Sequence, residues 1–539
     1  MLFILVLFAG VLAAQTADLA ITGGRIYTAN PRQPEVRALA IKDGKILAAG
    51  DDVSRHVGAA TRKIDLKGAT VIPGLIDSHV HMRGLGESLE ILDLRHARSP
   101  AEVASMVRTE ARRRKPGEWI RGRAWDQTTF PGGQFPAHEP ISAAAPENPV
   151  YLTRVDGHAG WANRKAMEVA GITAETKDPP GGKIHHAKGG EPTGIFVDRA
   201  QGLVTRHAPA PAAEQVRSRI ARAAAECARL GLTSVHDAGA GRADLTAYRE
   251  LIAERKLPVR VYAMIGGAGD LWTEYLKKGP EIGDRLTVRS IKLVADGALG
   301  SRGAAMIEPY SDEPGNSGLA ILSREEIERV ARQAVAAGLQ VNTHAIGDRA
   351  NRSVLEAYGA VLGGPNDRRF RVEHAQVVAL SDFPLFAKYS IIASMQATHA
   401  TSDMRWAEAR VGPERVKGAY AWRRFVALGV RIANGSDFPV EKPEPMPGFY
   451  ASVTRQDASG NPEGGWFPDQ RMTRQEALAS WTLEGAFAAF EEKTKGSIEP
   501  GKLADFVVLS DDIMTIPVER ILRTRVKMTL VGGEVVYSE

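Results

Sequence analysis

The sequence predicts an α/β protein, a (β/α)8 barrel with a small β domain assembled from both chain ends. Three observations lead there. The long middle of the chain alternates short apolar runs with longer amphipathic stretches. Both ends carry short strand-like segments broken by glycine turns. One segment of the middle is too long for a single crossover connection. At 539 residues the chain exceeds one simple domain and can bury a large core.

The elements follow in chain order. Residues 2–12 are almost wholly apolar and lead into Ala13, Ala14 and polar Gln15. This is the pattern of a secretory signal peptide without its basic n-region, and it is shorter than a membrane span. A signal peptide over 1–14 is therefore expected. The protein would then be secreted or periplasmic, with no stable membrane insertion after cleavage; without cleavage it would be cytoplasmic. From 18 to 69 short strands alternate with glycine turns, and Asp43-Gly44 between alternating apolar residues marks a hairpin. The stretches 504–509 and 528–537, the second turning at Gly532-Gly533, repeat this style. Residues 15–69 and 497–539 are accordingly assigned to one composite β domain. Within 70–496 the expected barrel strands include 70–76, 234–236, 290–295, 340–343, 371–373, 391–394 and 430–433, with helices such as 212–230 and 324–337 between them. Right-handed crossovers repeated this way close into a barrel. The segment around 99–206 carries Pro131-Gly132-Gly133 and Pro179-Pro180-Gly181-Gly182 and is read as an inserted subdomain over the barrel mouth.

Composition narrows the function classes. The net charge is only +5, and the densest basic run, 112–115, is short, which fits a solvated helix face and no nucleic-acid partner. The one cysteine, Cys227, lies in a helical pattern, so it cannot form an internal disulfide and reads as a buried structural thiol. The expected partner is a small-molecule substrate, and homo-oligomerisation is compatible with the sequence.

Chemistry concentrates at the ends of the expected strands. His79 and His81 follow the apolar strand in GLIDSHVHM (74–82), and residues two apart on a strand face the same way, offering paired nitrogen donors to one cation. His344 and His374 each end a short apolar run. Asp437 ends the last one, placed to ligate a metal and take a proton from its water. Lys292 sits among apolar residues, where a lysine is costly unless paired or chemically changed. Reaction with CO2 would make it a carbamate able to bridge two cations; the alternative is a strand-edge lysine whose amine reaches water.

These ordered motifs resemble the amidohydrolase superfamily, in particular its branch of YtcJ-like proteins and N-substituted formamide deformylase. The motifs are GLIDSHVHM, IKLVADGALGSRGAA (291–305), VNTHAIGDRAN (341–351), RVEHAQ (371–376), NGSDFPV (434–440) and GSIEPGKLADFVVL (496–509), and the likeness runs from about residue 18 to the C-terminus. The resemblance implies a TIM-like barrel with a β-sandwich built from both chain ends. It also implies zinc or another divalent transition metal, as one or two ions. His79, His81 and Asp437 would hold one, His344 and His374 a second, and carboxylated Lys292 would bridge them. His158 stands where this branch commonly has a histidine and is placed to contact the scissile group. Asp296, Ser301 and Arg302 follow the Lys292 strand, Gln396 and His399 follow the seventh, and all five are expected to line the mouth. Trp125, in WIRGRAWD (119–126), either walls the pocket or packs the insert.

The leading expectation is hydrolysis of a non-peptide C–N bond in a small amide, formamide or cyclic amide by metal-activated water, with Asp437 and His158 as the catalytic side chains. The same centre acting on a lactone, dipeptide or aminopurine is the enzymatic alternative, because fold does not fix substrate. An inactive barrel used for binding is the alternative from another class.

Overall fold

The computed structural model describes residues 15–539, and the expected signal peptide over 1–14 lies outside the described residues. Eight parallel strands ring a barrel: β1 (Leu75–Val80), β2 (Leu232–Ala240), β3 (Arg260–Gly266), β4 (Leu286–Val294), β5 (Gln340–Ala345), β6 (Arg371–His374), β7 (Ile392–Gln396) and β8 (Ile432–Gly435). Each is hydrogen-bonded to the next in sequence order. The first and last meet just beyond their ends, where Asp437 N donates to His79 O at 2.8 Å and His81 N to Phe438 O at 2.9 Å. The approach leaves no room for a side chain: a Cβ on Gly435 would lie 2.8 Å from His79 N.

Helices cover the barrel for legible reasons. Ala213–Arg229 buries Val216, Ile220, Ala223, Ala224 and Cys227, a stripe at helical spacing. Arg324–Ala337 begins at a capping box, with Ser323 Oγ accepting from Glu326 N at 3.2 Å and Glu326 Oε2 from Ser323 N at 2.8 Å. It stops at Gly338, whose φ of +70° favours glycine.

The chain ends do meet in two facing sheets. One is wholly N-terminal, with Leu19–Thr22 between Ala38–Lys42 and Arg62–Asp65 and with Lys45–Gly50 on the edge. The other sets Phe506–Leu509, Val526–Val531 and Glu534–Ser538 beside Thr70–Pro73, Arg25–Tyr27 and Glu35–Val36. Ile21, Leu39, Val71, Phe506 and Leu530 share the core between them. The expected barrel strand 70–76 is thus two strands. Thr70–Pro73 belongs to the sandwich, and β1 starts at Leu75, so the join moves from residue 70 to Gly74. Gly74 touches barrel and sandwich alike. Its N donates to Asp505 O at 2.9 Å, and a Cβ there would lie 2.1 Å from Thr233 Oγ1. A buried bidentate pair, Arg260 Nε and Nη2 on Asp505 at 2.8 and 3.0 Å, ties β3 to the C-terminal sheet.

The insert is a six-stranded sheet running from Leu92–Asp93 to Pro192–Asp198, so it starts earlier than residue 99. It has its own core, including Val103, Ile120, Leu152 and Trp161. A two-residue opening strand leaves no periodicity to read, which is why the sequence places the start too late.

Candidate metal centre

All six expected metal residues converge at the C-terminal end of the barrel strands. His79 and His374 have ring centroids 4.8 Å apart, His374 and His344 4.6 Å, and His79 and His81 5.6 Å. Asp437 Oδ1 lies 3.1 Å from His81 Nε2 and 3.7 Å from His79 Nε2. Lys292 Nζ, on β4, is 3.1 Å from His79 Nε2. His374 and Asp437 have φ of +74° and +59°. The left-handed turn that each makes at its strand end is strained for a non-glycine residue, and such strain gathers at functional sites.

The donor set fits a divalent cation. One ligand atom each from His79, His374 and Asp437 lies within 4.8 Å of the others, and all three residues are buried. Burial pushes His79 down to about 4, with Lys292 adding to it, and holds His374 well below its ordinary value, so both are neutral donors. For Asp437, burial is outweighed by His81, His79 and His374, which hold the carboxyl far down and anionic. Its Oδ1 is buried without a well-placed hydrogen bond, as is His399 Nε2. Burial also lowers Lys292, favouring its neutral amine.

Behind the ligands lie groups that fix them. His374 Nδ1 donates to Gln396 Oε1 at 2.7 Å, turning Nε2 to the cavity. His79 Nδ1 is held by Glu373, which is fully buried and paired with Arg371 Nε at 2.7 Å. Asp77 accepts from Ser436 N at 2.9 Å and Oγ at 2.6 Å, joining the His79 strand to the Asp437 turn. Sequence reasoning passed over Arg371 and Glu373. The signal was there, in two opposite charges two apart on a buried four-residue strand that ends in His374.

Above the centre is a cavity of about 430 Å³ that reaches His344, His374, His399 and Asp437 and is walled on the other side by the insert, including Ala124 and His158. His158 lies 5.0 Å from His344, ring to ring, and its Nδ1 donates to Asp198 Oδ1 at 2.6 Å. Burial alone would lower His158, but Asp198 overrides it and raises it. Asp198 was not anticipated, since it sits 40 residues away at the end of another strand. His399 Nε2 stands 3.7 Å from Asp437 Oδ2.

Of the five residues expected to line the mouth, His399 lines this cavity, Gln396 stands behind His374 and the other three are placed differently, while Trp125 packs the insert. Trp125 is fully buried in the insert, stacked edge-on against Trp161 and Phe135, with Nε1 donating to Leu152 O at 2.8 Å. Asp296 is fully buried, its oxygens taken by the backbone N–H groups of Ala305, Ile346 and Gly347, so it stitches two loops together. Ser301 and Arg302 line a second cavity of about 400 Å³, with Phe135 and His185. In each case the local sequence marks polarity or bulk, and only the turn geometry decides which way the side chain faces.

The sequence profile described as "Amidohydrolase family" matches residues 62–537. The chain belongs to the amidohydrolase family. Protein LONG AFTER FAR-RED 3 of Arabidopsis thaliana is 34% identical over 97% of this chain and 92% of its own length. Putative amidohydrolase YtcJ of Bacillus subtilis is 31% identical over 96% and 99%, and N-substituted formamide deformylase of Arthrobacter pascens is 26% identical over 97% and 99%. Among solved structures, an uncharacterized metal-dependent hydrolase from Pyrococcus horikoshii superposes with a TM-score of 0.74 at 30% identity, covering 93% of this chain and 99% of that one. This amidohydrolase thus has the fold of a metal-dependent hydrolase and a candidate metal site at the mouth of its barrel.

Proposed function

We propose that this amidohydrolase cleaves a non-peptide C–N bond in a small amide, formamide or cyclic amide. The observation that carries the reading is the convergence of four histidines, Asp437 and Lys292 beneath a cavity sized for a small molecule. The named activity of the formamide deformylase, similar over nearly the whole chain, supports the bond type.

His79, His81 and Asp437 would hold one cation and His344 and His374 a second, with Lys292 joining them as its carbamate. The neutral amine that burial favours is the form that adds CO2. Zinc or a similar ion supplies Lewis acidity and a water acidic enough to react near neutral pH. The chain's own groups do the rest. Asp437 accepts the proton of the attacking water and returns it to the departing nitrogen. His158, whose cationic form Asp198 favours, donates from Nε2 to the substrate carbonyl oxygen, where negative charge grows. Glu373 and Gln396 hold His79 and His374 in the tautomers that face the cavity.

Purified protein should carry one to two equivalents of a divalent transition metal, and chelation should abolish hydrolysis. A panel of N-substituted formamides, cyclic amides, lactones, dipeptides and aminopurines then identifies the bond. Lys292→Arg should lose metal and activity together, since a guanidinium does not form the carbamate. Turnover of lactones or aminopurines alone would overturn the C–N amide reading, and near-normal metal content in Lys292→Arg would overturn the bridge.

A further inference from the structure

The charges around the mouth are not paired one to one. The acids lining the cavity over the metal centre are, Asp437 aside, already engaged. Asp126 is paired with Arg154 at 2.8 Å and Arg405 at 2.7 Å, and Asp156 with Arg154 at 2.5 Å. Glu441 accepts from Ser402 Oγ at 2.6 Å, and Asp403 from Tyr420 Oη at 2.6 Å. Several cations at the mouth have no such partner. Arg123, on the insert strand Ile120–Trp125, has no carboxylate within 4 Å among the described residues. Its one hydrogen bond runs from Nη2 to Val155 O at 3.3 Å, and its Nε is buried without a partner. Asp437 and Asp156 attract it only across space, and Arg95 opposes it. Arg95 donates to two backbone carbonyls, Pro439 O and Val440 O at 3.3 Å, and finds only Asp93 at 4.0 Å.

The backbone explains how Arg123 comes to be there. The strand bulges as it reaches the barrel mouth: its register slips between Arg123 and Trp125, and Ala124 takes a φ of +74°. A bulge re-aims the side chains on either side of it. Ala124 and Arg95 wall the cavity that reaches Asp437 and His158, and the same two residues wall a smaller cavity of about 230 Å³ lined by Arg123. Glu444 lines that smaller cavity without ion-pairing to Arg95 or Arg123. Arg123 is partly exposed, so its guanidinium is open to a ligand, and a planar fork matches a carboxylate with two parallel hydrogen bonds.

We propose that the substrate carries a carboxylate beside its scissile C–N bond, received by Arg123 with Arg95 next to it, which makes N-formyl or N-acyl amino acids the substrate class. The proposal rests on the hydrolase reading above and names the substrate class for the cavity over the metal centre together with the smaller one beside it, which shares Arg95 and Ala124 with it.

Binding tests it independently of turnover. Titration calorimetry on the metal-loaded protein compares 3-phenylpropanoate with 3-phenylpropanamide, which differ only in the anionic group. The wild type should bind the carboxylate about tenfold or more tightly than the amide, and Arg123→Gln should lose about tenfold or more of that affinity at unchanged metal content. Arg123→Lys should keep part of it. Should Arg123→Gln fail to fold, Arg95→Gln is read in the same way. Equal binding of the two probes by the wild type overturns the proposal. So does full carboxylate affinity in the Gln variant, which would send the anion to the metal instead. In turnover, kcat/KM for N-formylphenylalanine over that for N-formylphenethylamine should fall in Arg123→Gln by a similar factor. Absence of all amide turnover would sink the hydrolase reading, while the calorimetric comparison still decides the anion site.

Discussion

Replacing Glu373 by glutamine tests how the centre is held together. Glu373 is fully buried; Oε1 faces Arg371 Nε at 2.7 Å, while Oε2 accepts from Arg371 Nη2 at 3.1 Å and is shared with His79 Nδ1. Arg371 is itself fully buried, and its Nη1 also meets His236 Nδ1 at 3.0 Å. Glutamine keeps the volume but removes the charge and turns one acceptor into a donor. Two charge-assisted hydrogen bonds are lost at about 1.5–3 kcal/mol each, and the cation is left alone in the core, so about 3–5 kcal/mol of stability should go. His79 also loses the carboxylate that fixes its tautomer, and metal affinity should fall about 10- to 100-fold. Urea unfolding gives the first number, and competition with a chromophoric chelator gives the second. A loss under about 1 kcal/mol with metal affinity within about twofold of wild type would refute the argument.

Three further predictions follow from the geometry. Asp505→Asn breaks the buried pair with Arg260 and should cost about 3–5 kcal/mol by urea unfolding; a change under about 1 kcal/mol would mean the pair holds nothing. Gly435→Ala puts a methyl group against His79 N and Asp77, so it should lower metal affinity about tenfold or more and destabilise by about 1–3 kcal/mol; wild-type metal titration in that variant would contradict the closeness of the barrel seam. Glu476 is held down to about 2 by its bonds from Arg423, reinforced by the helix cap at Thr473. Its folded value lies below its unfolded one, so the stabilisation is present above the ordinary glutamate range and fades as pH falls from about 5 towards 2. The pair is partly exposed, and solvent screening limits the effect to about 1 kcal/mol. The gap in unfolding free energy between wild type and Glu476→Gln should therefore shrink between pH 7 and pH 3, and a constant gap would disprove the linkage.

Much of this was legible in the chain because it is written locally. An apolar run ending in histidine needs only its neighbours to be read, and the helix 324–337 carries its own start and stop signals. What was missed depends on partners far apart in sequence. The strand Arg260–Gly266 was not among the expected ones, although Pro258 just before it sets it off from the helix Arg242–Ala253. The run 70–76 reads as one mainly apolar strand, and the mark of the change of sheet, Pro73-Gly74 in its middle, was passed over. Asp198 and Glu373 gain their roles only through His158 and His79. Ser301 and Arg302 were expected at the mouth from their place after the Lys292 strand, but their loop turns them to another cavity, and the bulge before Trp125 settles it into the insert.

The sandwich made from both chain ends has a consequence for synthesis. Thr70–Pro73 pairs with Phe506–Leu509, so its partner leaves the ribosome some 430 residues later. At about 5–20 residues per second, the N-terminal half-sandwich waits roughly 20–90 s with an apolar face and a strand edge open. Arg25–Tyr27 can pair early with Thr70–Pro73, but the far side of that strand stays unsatisfied until the last tenth of the chain arrives. Chains interrupted before residue 506 should therefore be captured by chaperones or aggregate through this edge, so that only a finished chain can bury it.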